Sequence, residues 1–132
     1  MARHTRLANL AVNTQASALA ELLDDGFIEV YDGEQPSRAE ADVTSQKLLV
    51  TMKFGSPAFR PAVAGVIIAN PISPGVAVVT GRPSWARICR VDKTPIMTVS
   101  AGTSNASMIL PVAILEAGIT LTVDFNHTIA KG

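Results

Sequence analysis

Apolar and polar residues alternate along several short segments of this chain. In residues 119–125 every second residue is apolar, and the residues between them are polar. Residues 47–54 alternate in the same way, before Gly55, Ser56 and Pro57 stop the segment. This period of two is typical of a strand with one buried face. The side chains that we therefore expect to be buried are Leu48, Val50, Met52, Leu121 and Val123.

Further strands are predicted where short apolar segments lie between turn residues. They cover residues 27–31, 62–69, 76–80, 85–91, 96–100 and 107–110. Residues 62–69 are apolar on both faces, which predicts either a covered central strand or a strand that meets a neighbouring subunit. Strands and helices do not alternate along the chain, so a parallel sheet is not expected.

A single helix is predicted before the strands, over residues 5–23, because its apolar residues recur at spacings of three and four. Thr5 is suited to cap its start, and Gly26 to end it in a left-handed conformation. The pattern therefore predicts a mainly β fold, an antiparallel β-sandwich or jelly-roll-like domain with one N-terminal α-helix. Residues 1–25 form the helical segment and residues 26–132 the β-sandwich, within one domain.

The composition narrows the classes of partner. Of the 132 residues, 48% are apolar and only 17% are charged, against about 25% charged in an average domain. This favours burial against partners or like subunits, although an ordinary β-domain rich in small polar residues has a similar composition. The net charge is zero, which gives no support for nucleic-acid binding. No apolar run is long enough to span a membrane.

Residues able to carry chemistry are few and scattered. His4 and His127 lie near opposite ends of the chain without nearby ligands, so we expect no metal and no cofactor. The single cysteine, Cys89, excludes an internal disulfide and agrees with folding in a reducing cytoplasm. It lacks an obvious base and is expected in or near the core. The acids of residues 24–42 resemble a solvated surface, although two carboxylates that meet in space would suit a hydrolase.

Four pieces of the chain resemble small structural proteins encoded by tailed bacteriophages. They are LLDDGFIEVYDGEQP at residues 22–36, LLVTMKFGSPAF at 48–59, WAR at 85–87 and EAG at 116–118. The motifs are patterns of turns and strands, and they include no catalytic residues. Residues 60–61 and 70–75 match no part of this pattern.

The resemblance implies a non-enzymatic virion protein, made in the host cytoplasm, of the capsid cement or head-decoration type. Its implied partners are the major capsid protein and further copies of itself, with a trimer favoured. A phage tail or neck component and a carbohydrate- or receptor-binding β-module are the alternatives. The residues expected at partner interfaces are Leu7, Leu10, Phe59, Arg60, Ile72, Arg82 and Trp85. For Trp85 a place in the core is the competing interpretation, because buried aromatic rings dominate small cores.

Overall fold

The computed structural model describes residues 9–61, 63, 66–123 and 126–128. It is mainly β, with one short helix and a curled, largely antiparallel sheet, which confirms the predicted fold class and is consistent with a β-sandwich-like arrangement. The elements are α1 (Asn9–Leu22), β1 (Phe27–Tyr31), β2 (Leu48–Lys53), β3 (Val66–Ile68), β4 (Gly75–Val76), β5 (Trp85–Cys89), β6 (Pro95–Gly102), β7 (Met108–Ile109), β8 (Thr120–Leu121) and β9 (Asn126–Thr128).

The main sheet has the strand order β2-β1-β5-β6-β7. Its pairs are antiparallel except for β6 and β7, which are parallel. The sheet continues beyond β2, because the Ser73 N–H donates to the Lys53 carbonyl at 2.8 Å and the Val78 N–H to the Leu49 carbonyl at 2.8 Å. The β4 strand then pairs with β8, and β3 with β9.

The concave face of this sheet holds the core. Ile28 lies opposite Met52 on one side and Ile88 on the other, and all three are buried. Leu121 and Val123 are buried as the alternation predicts, and Leu19 and Ala20 of α1 pack against the same cluster. Only part of the predicted apolar face is used, because Leu22 of α1 is 43% exposed. The packing of Leu19 and Ala20 on the core stabilises this short helix.

Leu48 departs from its prediction. The register between β1 and β2 shifts so that Val30 lies opposite Val50 but Tyr31 lies opposite Leu48. Leu49 is the extra residue of this bulge and is fully buried, whereas Leu48 is only half-buried. A bulge of this kind interrupts the alternation of faces, so the predicted burial of Leu48 is wrong.

The central covered strand is also not the predicted one. Among the described residues of 62–69, the strand is the three-residue β3, in which Ile67 is buried but Ile68 is 45% exposed. All five residues of β5 are buried instead, because β5 lies between β1 and β6 in the main sheet. The alternative interpretation of residues 62–69, contact with a neighbouring subunit, stays a prediction.

The turn after α1 corrects the assignment of Gly26. The left-handed residue is Asp25, with φ of 59°, and Gly26 does not adopt a positive φ. A Cβ atom at Gly26 would lie 2.3 Å from the Cys89 carbonyl oxygen. Glycine is therefore needed there because β5 approaches the backbone closely, and not for its conformational freedom.

Candidate functional site

A polar cluster occupies the face of the main sheet opposite the core. Glu29 lies opposite Arg87 in the β1–β5 register. Its carboxylate accepts hydrogen bonds from the Tyr31 hydroxyl at 3.4 Å and the Cys89 thiol at 3.7 Å. Lys93 forms an ion pair with it at 3.4 Å. These five side chains, Glu29, Tyr31, Arg87, Cys89 and Lys93, are called the sheet-face cluster below.

The protonation of this cluster limits its chemistry. Burial, reinforced by the Glu29 carboxylate, raises the pKa of the Cys89 thiol from 9.0 to about 12. The same two causes raise the pKa of Tyr31 from 10.0 to about 12. A thiol and a phenol with these pKa values stay protonated at neutral pH, and the thiolate is the form of cysteine that attacks a substrate. The cluster therefore brings reactive residue types together in an unreactive state.

Residues 32–47, called the covering loop, lie over the sheet-face cluster. The Trp85 indole N–H donates to the Asp32 carbonyl at 3.0 Å, and the Arg87 guanidinium donates to the Ala41 carbonyl. Gln35 donates to the Thr98 hydroxyl at 3.1 Å. These contacts attach the loop above Trp85, Arg87 and Thr98, so Arg87 serves as a support for it.

Arg87 is the unusual member of the cluster. Its side chain is only 9% exposed, and no hydrogen-bond partner reaches its buried Nε atom. Within the part of the chain that the structure describes, the ion pairs join Arg38 to Glu40, Lys47 to Asp32 and Lys93 to Glu29, so no carboxylate is paired with Arg87. The guanidinium also lies over the Trp85 ring, 5.8 Å from its centroid.

A cleft of about 240 Å³ separates α1 from residues 57–61. Its lining includes Glu21, Asp24 and Arg60. One carboxylate oxygen of Asp24 already accepts a hydrogen bond from the Ala58 N–H at 2.8 Å. The cleft is smaller than the roughly 300–1,000 Å³ of typical ligand pockets. Among the described residues, no three histidine, cysteine, aspartate or glutamate side chains are grouped as metal ligands.

Five exposed apolar side chains lie on two neighbouring segments, residues 75–81 and 113–123. Gly75 pairs with Leu121 and Gly81 with Leu115, which holds the segments side by side. Glu116 is the only charged residue in either segment. The exposed side chains, called the apolar band below, are Val76 (55%), Val78 (68%), Val79 (36%), Ile114 (51%) and Ile119 (44%).

The structure buries some of the residues expected at interfaces and leaves others exposed. Phe59, Ile72 and Trp85 are buried within the chain, with 4%, 9% and 0% exposure. They have almost no surface to offer a partner in this conformation. Trp85 is fully buried, but it stacks on Tyr31 on the sheet face opposite the main core cluster. Arg60 and Arg82 are exposed, so a contact through them stays a prediction.

Both leucines of the predicted interface fall outside what can be described. Leu7 precedes the first described residue, and Leu10 lies in α1 with its side chain outside the described part. His4 also lies outside the described residues, and the backbone of His127 pairs with Ile67. The thiol of Cys89 is buried, as expected for a core or near-core residue.

The apolar band was not predicted from the sequence. The sequence predicts a strand over residues 76–80, but it does not indicate which of the valines in this segment are buried. The signal that was available is the scarcity of charge in residues 75–81 and 113–123. The scarcity of charge indicates an apolar surface only once the structure shows that the two segments are neighbours.

Within the described part of the chain, α1 is too short to span a membrane. A search of protein-family models finds no match to the chain. No curated protein matches it, and no solved structure does.

Proposed function

We propose that this chain is a non-enzymatic structural subunit of a bacteriophage virion, of the capsid cement or head-decoration type. The observation that carries the proposal is the apolar band. Contiguous apolar surface is uncommon on proteins that act alone, and it marks sites of protein–protein contact. The resemblance in the sequence motifs supplies the virion and the major capsid protein as the partner.

The chemistry of the described residues supports a role through surface contact. The Cys89 thiol and the Tyr31 phenol stay protonated at neutral pH, and the cleft beside α1 is small. Binding by an apolar surface depends on a few well-packed side chains and on excluded water, and it needs no reactive group. Homo-oligomerisation belongs to the same proposal, because like subunits bury such surfaces against each other.

The carbohydrate-binding alternative receives no support from the aromatic residues. Sugar sites usually present exposed rings for stacking, and none of the described aromatic residues is exposed. Tyr31 and Trp85 stack on each other at 4.6 Å between ring centroids, and Phe54 contacts Phe59 at 5.2 Å. These four rings are therefore buried in contacts within the chain.

The test begins with purified particles of the phage that encodes this chain. Mass spectrometry of separated heads and tails should find the chain in the heads, and attachment should survive high salt, because an apolar contact is screened little by ions. Absence of the chain from particles at low salt would refute the assembly role. Its presence only on tails would favour the tail alternative, and release by moderate salt would refute an apolar contact.

A matched pair of variants tests the surface itself. Val78→Asp places a charge in the apolar band at a side chain that is 68% exposed, and should lower occupancy on particles at least about tenfold. Val91→Asp makes the same change on the β5–β6 turn, at a side chain that is 54% exposed, and should leave occupancy unchanged. Both variants should fold, since surface substitutions change stability little. Equal attachment of the two variants would show that the band is not the contact.

A further inference from the structure

The outer edge of β8 has main-chain groups without partners in the described structure. The Ala77 N–H donates to the Ile119 carbonyl at 2.9 Å, and Gly75 pairs with Leu121. Backbone groups of an antiparallel strand point to alternate sides, so Ile119 and Leu121 face β4 while Thr120 and Thr122 face away. No hydrogen bond from a described residue reaches the N–H or C=O groups of Thr120 or Thr122. Both residues are exposed.

This edge is short, since β8 has two residues, but it lacks charge and proline, two of the usual protections against strand pairing. Proteins normally block a free edge with charged side chains, prolines or a covering element, because an open edge is a template for another strand. Residues 117–123 contain no charged residue and no proline. The strand follows a turn in which Gly118 has φ of 92° and the Ile119 N–H donates to the Glu116 carbonyl.

We propose that a second copy of this chain pairs with the edge, β8 against β8, antiparallel about a twofold axis at Leu121. In this register Thr120 lies opposite Thr122 of the other copy. Each exchanges its N–H and C=O groups with the residue opposite it, so all the free groups of both residues in both copies are satisfied. Leu121 meets its own copy on the axis, as a pair that is not hydrogen-bonded.

The chemistry of the strand favours its own copy as the partner. A strand that pairs with itself places like residues close together, which is unfavourable for charges but favourable for threonines. Since residues 117–123 are uncharged, self-pairing meets no electrostatic cost. The pairing also extends the sheet through β4 and β8 of both copies, and it brings their apolar bands side by side.

This inference deepens the proposed function and rests on it in treating the chain as an assembly subunit. It identifies β8 as the contact between like subunits, and this contact joins the subunits in pairs. A twofold pair differs from the trimer that the sequence resemblance implies, and a measurement of mass in solution separates the two.

The test uses charge exchange on the purified full chain. Thr120→Lys with Thr122→Lys gives one double variant, and Thr120→Glu with Thr122→Glu gives the other. Sedimentation should show a dimer for the wild-type chain at concentrations up to about 100 µM. Each double variant alone should dimerise at least about a hundredfold more weakly, because like charges then lie opposite each other. An equimolar mixture of the two variants should form a heterodimer, which salt weakens.

The control carries the same added charge elsewhere. Thr103→Lys with Ser104→Lys changes two exposed residues of the β6–β7 connection and should leave the dimer intact. Circular dichroism of every variant verifies that it is folded. A wild-type chain that stays monomeric or forms trimers would overturn the proposal. So would lysine variants that dimerise as tightly as the wild type, or a mixture that forms no heterodimer.

The result is separable from the proposed function. A monomeric chain that nevertheless occurs in virions would refute the β8 contact alone. A dimer that dissociates as expected, but that is absent from virions, would refute the virion role and leave the contact intact.

Discussion

Raising the pH should destabilise the protein through Cys89. The folded chain raises the pKa of this thiol from 9.0 to about 12, so the folded state holds the proton more tightly than the unfolded state does. The resulting stability is present in full below pH 9 and is lost as the pH rises toward 12. The first cause is burial, since Cys89 is only 1% exposed, and the second is the neighbouring Glu29 carboxylate.

The size of the effect follows from the pKa shift. Between pH 8 and pH 11 the thiol should remove roughly 3 kcal/mol from the free energy of unfolding, because each unit of pH in the window corresponds to about 1.4 kcal/mol. Tyr31, whose pKa rises from 10.0 to about 12, should remove about 1 kcal/mol more by pH 11. Domains of this size have a total stability of about 5–15 kcal/mol, so the loss is easily measured.

Urea unfolding at pH 8 and pH 11 in the presence of a reductant is a direct assay. Trp85 is the only tryptophan, and it is fully buried against Tyr31, so its fluorescence reports the transition. Other groups also titrate in this range, and Cys89→Ala separates their contribution. The variant should lose roughly 3 kcal/mol less than the wild type between the two pH values. An equal loss in both proteins would refute the assignment of the alkaline transition to this thiol.

Substitutions at three positions should lower stability by different mechanisms, each measured by urea unfolding followed by circular dichroism, because Trp85→Phe removes the fluorescent probe. Leu121→Asp places an unpaired charge in the core and should unfold the domain, whereas Leu121→Ala should lower the free energy of unfolding by about 2–5 kcal/mol. A native-like Leu121→Asp variant would contradict the burial of this side chain. Trp85→Phe removes the hydrogen bond to the Asp32 carbonyl and ring volume, and should cost about 2–4 kcal/mol; unchanged stability would deny the bond any role. Gly26→Ala should cost more than about 1 kcal/mol because its Cβ atom meets the Cys89 carbonyl; a neutral result would mean that the backbone can shift there.

The sequence predicted those parts of the fold that local alternation specifies. Residues 27–31 form β1 as predicted, and Val50, Met52, Leu121 and Val123 are buried as predicted, because a strand with one covered face records that face in every second residue. The alternation does not predict burial correctly where pairing with a neighbouring strand changes which face a side chain is on. Leu48 was misassigned because of a bulge that depends on the pairing with β1.

The alternation of apolar and polar residues does not predict the order of strands in the sheet. Residues 62–69 and β5 are both rich in apolar residues, and only the pairing of β5 between β1 and β6 shows which of them is covered on both faces. The candidate interface had the same difficulty. Phe59, Ile72 and Trp85 are apolar residues near turns, and sequence cannot distinguish a core anchor from a surface anchor when both are apolar.

The way the covering loop is attached has a consequence for its evolution. Trp85, Arg87 and Ser84 all donate to its main-chain carbonyl groups, those of Asp32, Ala41 and Gly33 respectively. A carbonyl group is present at every residue type, so these attachments impose no identity on the loop positions that supply it. Substitutions among residues 37–45 should therefore accumulate between related sequences without loss of the fold, while Trp85 and Arg87 remain fixed. The loop has the properties of a segment whose sequence can diversify on a constant scaffold.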